Sequence, residues 1–257
     1  MTALLDNNDI DLTEFQLEAV KQLKDVFDKD FPLINFQQDV NFLTKHLYAN
    51  DWNPQEAKEF PEWFPNKKVS EYLPILQTHS RYMLTDRDKN GKRIFVYKTG
   101  NFKFPEMTLK MSVQLDDLWL DAMLMDLRTQ RNGVTVIADC KNTPRAIAQW
   151  LIPRDLKVAS ERTNLCPSKN LEIHLVNLSP VVNVLLKAVR PLLSERLQSK
   201  LHFHQSDWTL LHESVGKECL PEEYGGPPGK VVDYDKSYKF LLDKEDKLAE
   251  NMKYGIS

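Results

Sequence analysis

Apolar and polar positions along this chain follow two periods, and the switches between them lay out its elements. Val134 to Asp139, reading VTVIAD, and Leu171 to Val176, reading LEIHLV, are short and nearly continuous apolar runs. Such runs predict strands of a parallel sheet covered on both faces. His79 to Thr85 and Lys92 to Thr99 predict two further strands, and Lys200 to His204 is also strand-like. The joint between the first two, Asp86-Arg87-Asp88-Lys89-Asn90-Gly91, contains Asn-Gly, a favoured hairpin turn. It also matches the opening of a calcium loop, with alternating oxygens and a glycine at the sixth position. The twelfth position should supply a bidentate Glu and is Tyr97 instead, so the joint is read as a turn.

Helical spacing marks the other elements. Leu12 to Asp30 carries a loose stripe of Phe15, Val20, Leu23, Val26 and Phe27 that ends at Pro32, and shorter helices are expected over Gln38 to Tyr48, Gln55 to Phe60 and Val69 to Leu76. Met107 to Arg128 is expected as the longest helix, apolar around most of its circumference, with Asp116, Asp117 and Asp121 on its remaining edge. Such a helix suits a packed core and a cavity wall equally. Thr143-Pro144 opens a helix with Ala146, Ile147, Trp150 and Leu151 on its apolar side, and Arg154 to Asn164 is a more polar one.

Pro180 to Arg190 is the most clearly two-sided helix. Ser179 is placed to cap it and Pro180 suits its first position. Val182, Leu185, Leu186, Val189 and Leu193 share one face, while Asn183, Lys187, Arg190 and Ser194 share the other. Pro191 should end or kink it. Strands alternating with helices in this manner predict an α/β sheet. Beyond Pro227-Pro228-Gly229, Lys239 to Lys253 reads as a polar, charge-rich tail that is a helix at best.

Charge and composition narrow the function. A net charge of −3 and a pI near 6.1 argue against general nucleic-acid binding. The 3 cysteines, Cys140, Cys166 and Cys219, are odd in number and lack CxxC spacing, which points to a reducing compartment. The first residues have no basic region of a signal peptide, and no apolar run approaches the ~18 residues of a membrane span. A cytoplasmic protein is expected.

Catalytic motifs are weak. GxSxG, GxGxxG and GxxxxGK[ST] do not occur. His202 and His204 would point to the same side of a strand and could bind a metal, but no third ligand sits at a recognisable spacing, so no metal and no cofactor is expected. His174 reads as a hydrogen-bonded core histidine, and Asp139 lies at the strand end where α/β sheets place ligands. A hydrolytic or transfer enzyme using His174 or Asp139 therefore stands as one alternative, and an interaction module without a ligand as another. Lys169, Lys187, Arg190, Arg196 and Lys200 form a positive cluster on or beside the two-sided helix, which by composition alone is equally well a solvated face.

Taken together, the strand ending IHLVN, the helix running into RPLLSERLQSKLHFH and the motif Leu220-Pro221-Glu222-Glu223-Tyr224-Gly225-Gly226 resemble the CRAL-TRIO lipid-binding family. The likeness is greatest to its tocopherol-transfer and retinaldehyde-binding branch. It extends upstream through Thr129 to Asp139 and, more weakly, to Phe42 to Ala57. It departs where Pro61 cuts off the long helix that the family carries before a segment like Pro61 to Phe64, which implies a shortened N-terminal region.

The resemblance implies a non-catalytic carrier: an α/β sheet covered by helices, with a mobile lid helix over an apolar cavity and a small all-α N-terminal region. Residues 1–65 would be that region, 66–229 the lipid-binding domain and 230–257 a polar tail. Leu118, Met123, Trp150, Val182, Leu185, Leu186 and Val189 are the candidates to line the cavity. The implied partners are a small hydrophobic lipid and, transiently, a phosphoinositide-containing membrane surface. Lys169, Arg196 and Lys200 occupy positions of the branch's phosphoinositide cleft, with Lys187 and Arg190 on the adjoining face, whereas Leu171 stands where another basic residue would be.

Overall fold

The computed structural model describes residues 13–30, 65–104, 106–156, 160, 168, 170–204 and 208–252. Among these residues the chain builds a five-stranded sheet in the order β1-β2-β3-β4-β5: β1 Arg81–Arg87, β2 Arg93–Lys98, β3 Val134–Asp139, β4 Leu171–Val176 and β5 Leu201–Phe203. β1 and β2 form an antiparallel hairpin, and the remaining pairings are parallel. In the turn between β1 and β2, Asp88 Oδ1 accepts from the amides of Asn90 at 2.9 Å and Lys92 at 2.8 Å, and Oδ2 accepts from the Thr135 hydroxyl at 2.8 Å. The carboxylate that suggested a calcium loop thus folds the hairpin and ties it to β3.

β2, β3, β4 and β5 follow one another in a single direction across the sheet. Right-handed connections between parallel strands then put all three crossovers on one face. This crossover face carries Phe95, Val134 and Leu171, which pack with Leu115, Leu118, Trp119 and Met123. Those four belong to α3, Leu109–Leu124, capped by the Thr108 side chain, which accepts from the Met111 amide. The single helix expected over Met107 to Arg128 is divided. Asp126 starts α4, Leu127–Asn132, by accepting from the Arg128 amide, and its other oxygen pairs with Arg87. Nor is α3 the longest helix: α1, Glu14–Asp30, has 17 residues against 16.

Asp116, expected on the polar edge, keeps 35% of its side chain exposed and also bonds inward. It accepts from the fully buried Arg81, with Nε to Oδ1 at 2.5 Å, while the Arg81 guanidinium lies over the rings of Tyr97 and Phe102. In α1, Thr13 and Gln16 form a reciprocal cap, and Val20 and Leu23 are buried, but Phe15 points out to solvent at 69% exposure. The helix expected over Val69 to Leu76 forms as a 3-10 turn, Val69–Tyr72, leading into α2, Leu73–Leu76. The segment after Pro144 is a 3-10 helix, Arg145–Trp150, rather than an α-helix. The helices expected over residues 38–48 and 55–60 lie outside the described residues, as does most of that over 154–164.

The opposite face is left to the chain after β5. Tyr82, Ile94, Val96, Ile137 and Val176 pack there with Leu211 and Val215 of α7, Thr209–Val215, and with Leu220 and Tyr224. α5, Pro180–Val189, and α6, Glu195–Gln198, make up the described helices between β4 and β5.

The polar segment after residue 229, expected to be helical at best, is helical and also packs into the core. This segment forms α8, Tyr234–Leu242, and α9, Glu245–Asn251, whose Leu241 and Leu248 are buried in the crossover-face core. The Ser237 hydroxyl accepts from the Met83 amide at 2.8 Å, and Tyr238 bonds the His79 ring at 2.7 Å. Only one apolar residue per helical turn or so is used, so charge dominates the composition and hides the stripe. Leu241→Ala should cost about 2–5 kcal/mol in urea denaturation. Val231→Ala, exposed at 81%, should change stability by less than about 0.5 kcal/mol.

Candidate functional site

β3 is the middle strand of the sheet, yet its crossover face is not filled. Thr135, Ile137 and Asp139 on the other face are buried, while Val136 and Ala138 on the crossover face remain partly accessible. Register carries this row outward: Val136 pairs with Ile173, and Ile173 with Leu201, all three only half-buried. Phe203, which pairs with Leu175, is 41% exposed. A patch of apolar side chains left half-open over central strands differs from a closed core, which would bury them, and is termed the floor.

The same handedness rule places α5 over this floor. Its start is built as its sequence dictates, with Ser179 accepting from the Val182 amide and Pro180 in the first turn. Arg190–Leu192 then forms a 3-10 turn around Pro191, and Leu193 is extended, so the helix ends at the expected place. Of its apolar side chains only Val182 is buried; Leu185, Leu186 and Val189 are half-buried, and Val181 and Val184 are 52% and 66% exposed. An apolar helix that buries one residue is a loosely seated cover.

The proposed lining residues separate into three groups. Val182, Leu185, Leu186 and Val189 share α5. Leu118 and Met123 are packed in the core between α3 and the sheet, each 1% exposed. Trp150 lies in an aromatic cluster, its ring 5.3 Å from that of Phe102 and 5.1 Å from that of Phe104. The sequence reading passed over Val136, Ala138, Ile173, Leu201 and Phe203. Their signal was present as alternation within each strand, but only strand order reveals which alternate set faces the cover.

Of the basic residues, Lys169 lies outside the described residues. Lys187, Arg190 and Arg196 are exposed and Lys200 is half-buried, along the stretch from α5 through α6 to β5. Arg190 Nε donates to Gln198 Oε1 at 3.2 Å, fastening the end of α5 to α6.

The opposite face is polar at its core. Asp139 Oδ2 accepts from the Tyr224 hydroxyl at 3.0 Å, and Oδ1 accepts from Asn177 Nδ2 at 2.7 Å and the Lys141 amide at 2.9 Å. Burial pushes the Tyr224 phenol far up, so it is held as a donor. The motif that supplies it is shaped by its glycines. Gly225 closes the Glu222–Tyr224 turn in the left-handed region, at φ 77°, and a Cβ on Gly226 would lie 1.9 Å from the Leu220 carbonyl oxygen. The LPEEYGG motif is therefore a latch, and Asp139 is its anchor. His174 is buried with Nδ1 2.9 Å from His204 Nε2, and burial beside His202 and His204 pushes its imidazole down to about 4. Burial opposes ionisation of Glu172, but the Lys92 ammonium 2.6 Å away overrides it and holds the carboxyl below its usual range.

Comparison with known proteins decides the family. The CRAL/TRIO domain matches residues 77–226, more than half of the chain. The chain belongs to the CRAL/TRIO domain family. The match runs from just before β1 to the end of the latch motif, so it includes the half-open floor, α5 and the Asp139 network. An alpha-tocopherol transfer protein-like chain of Mus musculus is similar at 23% identity over 249 residues, covering 92% of this chain and 73% of its own length. Clavesin-2 of Mus musculus is 31% identical over 165 residues, covering 63% of this chain and 50% of its own. The solved structure of Sfh5 overlays with a TM-score of 0.49 at 13% identity, covering 94% of this chain and 99% of that one.

The latch makes a quantitative prediction for this CRAL/TRIO domain. Tyr224→Phe removes the donor to Asp139 Oδ2 and should lower stability by about 1–3 kcal/mol in chemical denaturation. In the Asp139→Asn background the same change should cost less, because the two side chains act as one pair.

Proposed function

We propose that this chain binds one small hydrophobic molecule between the half-open strand floor and α5, and transfers it between membranes. The observation that carries this reading is the apolar row Val136, Ala138, Ile173, Leu201 and Phe203, left accessible beneath a helix that buries only Val182. Membership in the CRAL/TRIO family and a relative whose name likens it to an alpha-tocopherol transfer protein support the same class of ligand. The ligand would lie with its apolar length along the floor, in contact with Leu185, Leu186 and Val189. Retinoids, tocopherols and similar lipids share that chemistry. The protein would work in the cytoplasm and meet membranes transiently; no described helix is long and apolar enough to cross one.

Release would be coupled to docking on an anionic, phosphoinositide-containing surface. Lys187 and Arg190 lie on α5, Arg196 on α6 and Lys200 next to β5, with Lys169 adding a further charge in sequence. Each basic residue near an anionic membrane contributes about 1 kcal/mol, so several of them give weak, salt-sensitive binding despite the net charge of −3. Exposed Val181, Val184 and Leu192 provide apolar contacts on the same stretch. An enzymatic role is disfavoured for both candidate bases: Asp139 spends its oxygens on the latch, and His174 is buried with a depressed basicity.

Two measurements test the reading. Leu185→Asp/Leu186→Asp should abolish uptake of a fluorescent apolar ligand while circular dichroism shows the sheet intact; undiminished uptake by the folded variant removes α5 from the site. Lys169→Ala/Arg196→Ala/Lys200→Ala should lose co-sedimentation with vesicles containing phosphatidylinositol bisphosphate and leave ligand uptake unchanged. Native-like sedimentation of that variant would reduce the cluster to a solvated face.

A further inference from the structure

We propose that Glu172, His174 and His202 form a binding site for a first-row transition-metal dication such as zinc, at the β4–β5 edge on the latch face of the sheet. The site is separate from the apolar floor, which lies on the other face.

Strand register creates the cluster. His174 and His202 are paired residues of β4 and β5, so their side chains leave the same face side by side. Glu172 precedes His174 by two in β4 and therefore points to that face as well. One ligand atom from each residue lies within 4.8 Å of the others, and His174 Nε2 is 3.7 Å from Glu172 Oε2. Metal–ligand bonds of about 2.0–2.2 Å in a tetrahedron hold ligand atoms about 3.4 Å apart. The His174–Glu172 edge is thus close to that spacing already. His202 is exposed and closes the remainder by side-chain rotation.

Two further observations point to a ligand. The His174 ring is buried, at 0% exposure, yet its Nε2 has no hydrogen-bond partner. An unpaired buried nitrogen is costly, and a coordinated cation would satisfy it. The surrounding groups also orient the ligands. His174 Nδ1 faces His204 Nε2 at 2.9 Å, and when Nδ1 donates, the lone pair sits on Nε2, on the site. Lys92 holds Glu172 Oε1 at 2.6 Å and leaves Oε2 to the site. Two imidazoles and one carboxylate suit zinc, cobalt or nickel rather than calcium or magnesium, which take oxygen ligands. Three protein ligands leave a fourth position open, on the solvent side of His202. Sequence spacing paired the wrong histidines: His202 finds its partners across the strand, and His204 stands behind His174 as its support.

The test is titration of the tag-free full chain, stripped with a chelator, with cobalt(II) followed by visible absorption and with zinc(II) against a chromogenic chelator. One equivalent should bind with the intense absorption of a low-coordinate cobalt centre. His202→Ala and Glu172→Gln should each weaken binding by roughly tenfold or more, and Cys219→Ser should leave it unchanged. Glu172→Gln keeps the side chain's size at a half-exposed position, so it decides the matter if His202→Ala does not fold. Absence of stoichiometric binding at micromolar metal, or stoichiometric binding retained by the folded variants, overturns the site.

Discussion

Strand order governs this molecule more than any single contact does. Four strands, β2 to β5, succeed one another in one direction, so every right-handed crossover between them arrives on the same face. One face must therefore hold all the crossover helices, and the other must be closed by whatever follows β5. α3 closes the crossover face over Met83, Phe95, Val134 and Leu171, with Val136 and Ile173 packed at the margin of that core. Toward β5, the described helices are the ten-residue α5 and the four-residue α6, in which Val182 and Leu197 are the buried residues. Among the described residues, the apolar row at that end stays half-open on the face to which topology brings the crossovers. The proposed cavity is a consequence of how the sheet is wound.

The latch face explains how an opening can be tolerated opposite it. Tyr224, Asn177 and Asp139 join the LPEEYGG turn, the loop after β4 and the end of β3 through directional hydrogen bonds. Packing of Leu211, Val215, Leu220 and Tyr224 against Tyr82, Val96 and Ile137 gives that side a dense core of its own. With this face rigid, movement of α5 on the other need not loosen the strands. Tyr224 in the latch shares a face with the histidine cluster, while the buried Arg81 and its partner Asp116 belong to the crossover face.

Much of this was legible in the sequence. Ser179, Pro180 and Pro191 mark both ends of α5, because capping and proline geometry act locally. VTVIAD and LEIHLV announced themselves as parallel strands through their continuous apolar runs, although one face of them stays half-open. What stayed hidden depends on contacts between distant segments. The half-exposed Asp116 pairs with the buried Arg81, and Leu241 and Leu248 are core residues within a segment dominated by charge. The floor residues alternate in plain view, yet alternation does not say which set is covered. His174 and His202 meet only through strand pairing, which their separation in sequence conceals.

The central claim is that the space above Val136, Ala138 and Ile173 holds an apolar molecule. Native mass spectrometry of the full chain, after incubation with a total lipid extract and removal of excess, tests it most directly. The account predicts one small apolar molecule per chain, lost on denaturation and recovered in organic solvent. A chain that stays at its bare mass after such exposure would contradict it, since the floor would then be a surface that nothing occupies.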